Sequence, residues 1–129
     1  MIDSNGVIRA YLAADTALIA LVGARIYCPR LPEKATLPAV GFFTRGGTDD
    51  PYIPGRLAPS VQFDCWAANP IDAREVYRAL YDALQGIQNV AVGSNYIISA
   101  IEEVAGQDLV DNEIENYFRV LTFFEIIVR

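Results

Sequence analysis

Carboxylates are the only plentiful reactive side chains in this chain of 129 residues. There are 16 Asp and Glu, 2 cysteines (Cys28 and Cys65), a single lysine (Lys34) and no histidine. The missing histidine removes the commonest general base, the commonest metal ligand and every Ser-His or Cys-His pair. Two cysteines make neither a zinc set nor a redox pair at CxxC spacing. No secretory signal is visible, so both are expected as reduced thiols. The densest acidic stretch holds Asp108, Asp111, Glu113 and Glu115. It lacks the alternating ligand ladder and central glycine of a calcium loop, and it reads as a solvated hairpin turn. Asp49-Asp50 before Pro51 reads as a turn starter. Glu102 and Glu103 are neighbours on an expected strand, so they face opposite ways and cannot work as a dyad. Gly46-Gly47 belongs to no GxGxxG or Gly-Lys-Ser/Thr motif. Lys34 has no apolar pocket evident around it, and Ser60, Ser94 and Ser99 have neither an elbow motif nor a base. We therefore expect no catalytic residue, no metal and no cofactor.

Composition narrows the class further. The length fits one domain, residues 1–129, able to bury roughly two-thirds of its unfolded surface. Hydrophobic residues make up 53% and charged residues 20%, which argues against disorder. The net charge of −6 opposes binding to a phosphate backbone, which needs a net positive field. No apolar run reaches the roughly 18 residues of a membrane span, and no membrane partner is expected.

The elements that would position these residues can be read in order. Residues 4–22 form one kinked helix or two short ones, with Ser4 and Asp15 as caps and Gly23 as the stop. Arg25 to Cys28 is a short strand, ended by Pro29. A strand follows from Ala39 to Arg45. Residues 46–59 hold three Gly and three Pro and are expected to be irregular. Residues 60–67 alternate, with Val61, Phe63, Cys65 and Ala67 on one face. Cys65 reads as a small core residue, and Trp66 on the other face is expected under a helix or at a contact surface, the former preferred. Asn69-Pro70 opens an amphipathic helix over about 70–85. Val90 to Val104 reads as one strand, with Tyr96, Ile98 and Ala100 opposite Ile97 and Ile101. Residues 105–114 read as an acidic connection, and Asn116 to Val128 as the last strand. The fold class is α+β: a mostly antiparallel sheet of four to five strands on two main helices, with a long C-terminal hairpin.

That hairpin matches or exceeds the width of a body this size, roughly 35 Å. One face of its last strand is almost wholly apolar. The other is mixed, yet it carries Leu121, Phe123 and Ile127. Either another subunit covers that mixed face, or the first helix does.

The order of motifs adds a resemblance. Leu12-Ala13-Ala14-Asp15-Thr16-Ala17-Leu18 runs into Leu21-Val22-Gly23-Ala24-Arg25-Ile26-Tyr27. Thr36-Leu37-Pro38-Ala39-Val40 and Val61-Gln62-Phe63-Asp64-Cys65-Trp66-Ala67 follow. A helix with Ala73, Val76, Ala79, Leu80, Ala83 and Leu84 comes next. This resembles the tail-completion, tail-terminator-like proteins of phages and prophages over about residues 9–85, and the C-terminal hairpin fits in pattern. The resemblance implies a non-enzymatic virion subunit, assembled in a bacterial cytoplasm and placed in the tail or neck. Such a subunit forms a ring, typically a hexamer, that caps the tail-tube protein at its head-proximal end. It then meets the head-tail connector protein, while DNA passes through without specific binding. On this reading the net acidic charge would keep DNA from sticking. Partner contacts are expected from Asp49, Asp50, Tyr52, Ile53, Arg56 and Leu57 in the irregular loop, from the 105–114 turn, and from Leu121, Phe123 and Ile127. The alternatives are a head-side connector or stopper, a tail-tube-like subunit, or a small-ligand-binding α+β dimer. In the last, Phe63, Trp66, Tyr77 and Tyr81 would line a pocket.

Overall fold

The computed structural model describes residues 2–49, 52, 55–110 and 117–129. In chain order the elements are α1 (Ser4–Ala13), α2 (Thr16–Val22), β1 (Ile26–Tyr27), β2 (Ala39–Asp49), β3 (Leu57–Ala67), α3 (Pro70–Leu84), β4 (Gln88–Val92), β5 (Asn95–Val110) and β6 (Phe118–Val128).

Helix starts follow local hydrogen bonding. Asp3, rather than Ser4, caps α1, accepting from the Gly6 N–H at 3.0 Å. Asp15 caps α2 through the Leu18 N–H at 2.9 Å, and Gly23 ends that helix at a φ of +59°, which suits glycine. The two helices meet at 86°, so residues 4–22 are two helices. Asn69 caps α3 by accepting from the Asp72 N–H at 2.8 Å, with Pro70 in the first turn. The stripe Ala73, Val76, Leu80, Ala83 and Leu84 is buried.

The strands form one sheet in the order β1-β2-β3-β6-β5-β4. β1 runs parallel to β2, and all other pairs are antiparallel. The α+β class stands, but among the described residues the sheet has six strands and is mixed, and there are three helices. Each departure has a local cause. Gly93, at a φ of +60°, turns the chain tightly between Val92 and Asn95, so the expected single strand over 90–104 is the β4–β5 hairpin. The register shifts between Thr44 and Gly47, and this bulge absorbs the Gly pair. A Cβ on Gly47 would lie 2.3 Å from the Ala58 carbonyl oxygen, so only glycine lets β2 continue to Asp49. The irregular segment therefore shrinks at both ends, and Asp49 pairs with Leu57. β5 runs on to Val110, where a connection was expected from residue 105. A shift between Ile97 and Ser99 puts Ile97 and Ala100 both in the core, against the expected alternation.

One core lies between the helices and one face of the sheet. Phe63 stacks on Phe42 at 5.5 Å and meets Phe124 edge-on at 5.8 Å. Ile8, Leu12, Leu18, Val22, Val76 and Leu80 from the three helices pack into the same cluster. Cys65 is in this core and Cys28 is exposed; both are free thiols.

Side chains close several outward backbone groups at the borders of the sheet. Arg9 donates to the Ile26 carbonyl at 3.1 Å, and Arg25 to the Pro38 carbonyl at 2.8 Å. β4 pairs with β5 only up to Ser99. Beyond that point α3 takes over. Gln85 accepts from the Glu102 N–H at 2.8 Å, and Tyr77 accepts from the Gly106 N–H at 3.2 Å. Arg74 donates to the Gly106 carbonyl at 3.3 Å and pairs with Asp108 at 2.9 Å.

Candidate functional site

The second face of the sheet lies opposite the helices. Strand alternation and register place Phe43 and Arg45 of β2 there, with Ser60, Gln62, Asp64 and Trp66 of β3. From β6 it takes Arg119, Leu121, Phe123, Glu125 and Ile127, and from β5 Ile101 and Val104. Leu121, Phe123 and Ile127 are half-buried and stand outside the core cluster. Ile101 is 57% exposed and Val104 38%. α1 meets β1 and β4, not the middle of this face, so the first helix does not cover the hairpin. The loop at Arg30-Leu31 reaches over at Gly41.

The charges on this face are ordered. At one end Arg119 pairs with Asp64 at 3.3 Å and lies over the Trp66 ring at 5.2 Å, and Tyr117 meets Trp66 edge-on at 6.0 Å. Trp66 is thus a surface aromatic held by its neighbours, not the helix-covered residue preferred from sequence. Burial pushes the Asp64 carboxyl up, with Arg119 and Gln62 pulling the other way. Further along, the Arg45 guanidinium sits 4.2 Å from the Phe123 ring centre, and Ser60 donates to Glu103 at 2.7 Å.

Glu102 turns to the other side, as expected from its neighbour's position. Its Oε2 accepts from the Tyr77 hydroxyl at 2.6 Å and from Thr122 at 2.7 Å. Sequence reasoning missed this cluster, whose members lie 20 to 25 residues apart. The one available signal was Thr122, a polar position within an otherwise apolar row.

The remaining expected residues scatter. Tyr52 is 90% exposed. Arg56 is half-buried just before β3, and Leu57 begins β3 and packs against the core. Asp49 ends β2, while Asp50 and Ile53 lie outside the described residues, as do Asp111, Glu113 and Glu115. The proposed aromatic pocket does not form. Phe63 is sealed in the core, Trp66 is on the opposite face of the same strand, and Tyr77 and Tyr81 belong to α3.

Chemistry finds little purchase. Among the described residues no three His, Cys, Asp or Glu could share a metal ion. Burial pushes the Cys65 thiol far up, with Asp64 adding to it, and burial also raises Cys28. Neither thiol is poised as a thiolate nucleophile. A hollow of about 330 Å³ between α1 and the β4–β5 turn holds one carboxylate, Asp3, which already caps α1.

No curated protein sequence matches the chain. Its fold matches a chain of the structure described as "Virion of native gene transfer agent (GTA) particle", at a TM-score of 0.67 and 18% identity, covering 99% of this chain and 98% of that one. The family model described as "Tail completion protein gp17" matches residues 6–129. With nearly its whole length matched, this chain belongs to the phage tail-completion family.

Proposed function

We propose that the chain closes the head-proximal end of a tail tube as a six-membered ring, stops growth of the tube and joins tail to head. The match of the tail-completion model to residues 6–129 carries this reading. The geometry supports it. Among the described residues no helix packs on the sheet face with Leu121, Phe123 and Ile127, and no cluster of His, Cys, Asp or Glu could hold a metal ion. We read the chain as a non-enzyme that takes no cofactor. Its partners are further copies of itself, the tail-tube protein and a head-tail connector, and DNA passes the ring unbound. Asp49, Asp50, Tyr52, Ile53 and Arg56 would meet a neighbouring ring, with Leu57 rooting the loop in the core.

The test is made in the particle that encodes the chain. Without the chain, tubes should grow overlong or heads and tails should stay apart, and labelled chain should sit at the tail end that faces the head. Replacing residues 50–55 with a short Gly-Ser turn should leave the subunit folded and block head–tail joining. Label at the head vertex alone, or along the whole tube, would replace the reading by a connector or a tube subunit.

A further inference from the structure

We infer that the Tyr77 ring selects between two registers of β5 on β6, the bulged one of this structure and a regular one displaced from it by two residues. This goes beyond the tail-end reading and does not rest on it.

The pairing itself shows the choice. From Ala100 opposite Ile126 to Glu102 opposite Phe124 the ladder is regular. Continued without interruption, it would set Glu103 opposite Phe123 and Val104 opposite Thr122. Instead Val104 lies opposite Phe123, and Gln107 lies opposite Leu121. β5 thus takes in one extra residue at each of two shifts. One extra residue turns every later side chain to the other face, and a second turns it back. Asp108 and Val110 therefore keep their faces in either register, displaced along β6 by about 7 Å. The regular register would also return to the ladder the backbone groups that a bulge leaves unpaired. Alternation of side chains does not exclude it.

Shape does. Gly106 stands just before the Gln107–Leu121 pair, so it falls at the level of Thr122, on the helix side. A Cβ there would lie 2.7 Å from Cζ and 2.9 Å from Cε1 of Tyr77, and 2.8 Å from Val120. The regular register puts Val104 at that level, and its branched side chain would enter the space that the ring fills. Polar groups favour the same choice. Tyr77 accepts from the Gly106 N–H, Arg74 donates to the Gly106 carbonyl and holds Asp108, and the Thr122 hydroxyl lies 3.0 Å from the Val104 carbonyl. A slide of about 7 Å breaks all four. The choice also reaches the open face. There Phe123 has Val104 opposite it in the bulged register and would have the Glu103 carboxylate in the regular one.

Solution NMR reads the register from nuclear Overhauser contacts, with circular dichroism melts to verify folding. The wild type and Tyr77→Phe, which keeps Cζ and Cε1, should show the Val104 methyls against the Phe123 ring. Tyr77→Leu lacks both atoms, and in most molecules it should replace those contacts by contacts from Val104 to Thr122. Tyr77→Met repeats the comparison with a more pliable side chain. A folded Tyr77→Leu or Tyr77→Met with Val104 still against Phe123 overturns the inference. So does the failure of both to fold where Tyr77→Phe folds, because the ring would then hold the fold rather than choose the register.

Discussion

Tyr77→Phe removes one oxygen and tests how β5 is held. That hydroxyl donates to Glu102 at 2.6 Å and accepts from the Gly106 N–H at 3.2 Å. A hydrogen bond to a charged group is worth about 1.5–3 kcal/mol, and an orphaned buried N–H costs about 1–3 kcal/mol. Tyr77 is half-buried and Glu102 keeps its bond from Thr122, so the lower ends apply. The expected loss is about 2 kcal/mol, or about 8 °C of melting temperature in a domain of this size. The pH dependence is a second signature. Burial first, then the hydrogen bond to Glu102, pushes the Tyr77 phenol from 10.0 up to about 12. The folded chain holds that proton more tightly than the unfolded one. Its contribution is intact below the unfolded value and is lost as pH rises toward 12. Calorimetry between neutral and alkaline pH should therefore show a downward slope in the wild type that is shallower in Tyr77→Phe. Amide exchange at Gly106 should also quicken in the variant. A melting temperature within about 2 °C of wild type, with an unchanged alkaline slope, would refute the reasoning.

Two further substitutions probe the strands. Gly47→Ala drives a Cβ to 2.3 Å from the Ala58 carbonyl at a φ of +132°, so urea unfolding should show a loss of about 3 kcal/mol; a loss under about 1 kcal/mol would mean the bulge yields freely. Asp64→Asn should be neutral or stabilising at neutral pH, because burial opposes the carboxylate more than Arg119 favours it; destabilisation beyond about 1 kcal/mol would show that the pair with Arg119 dominates.

How far the sequence reveals this fold depends on how local the deciding interactions are. α3 was legible because its cap, first proline and stripe all lie within Asn69 to Leu84, and the structure repeats them. Asp15 and Gly23 bounded α2 for the same reason. The β4–β5 turn was visible in principle at Gly93-Ser94, but the apolar residues on both sides read as one run. Glycine and proline misled at 46–59, because a bulge can keep Gly47 and Pro59 in a ladder. The parallel pairing of β1 and the Tyr77–Glu102–Thr122 cluster depend on contacts far apart along the chain, which periodicity does not encode. The uncovered face was half legible. The pattern marked Leu121, Phe123 and Ile127 as too apolar for a wet surface, but it could not say on which side the helices pack.

The guanidinium, amide and phenol groups that bond backbone at the sheet's rims have a consequence for self-association. Bare ribbon margins recruit one another into fibrils. Here Arg9 and Arg25 occupy the carbonyls of Ile26 and Pro38 near one margin, and Arg74, Tyr77 and Gln85 occupy groups of Glu102 and Gly106 at the other. At those points an incoming strand finds the backbone group already taken, which shortens the stretch of margin along which another copy could pair.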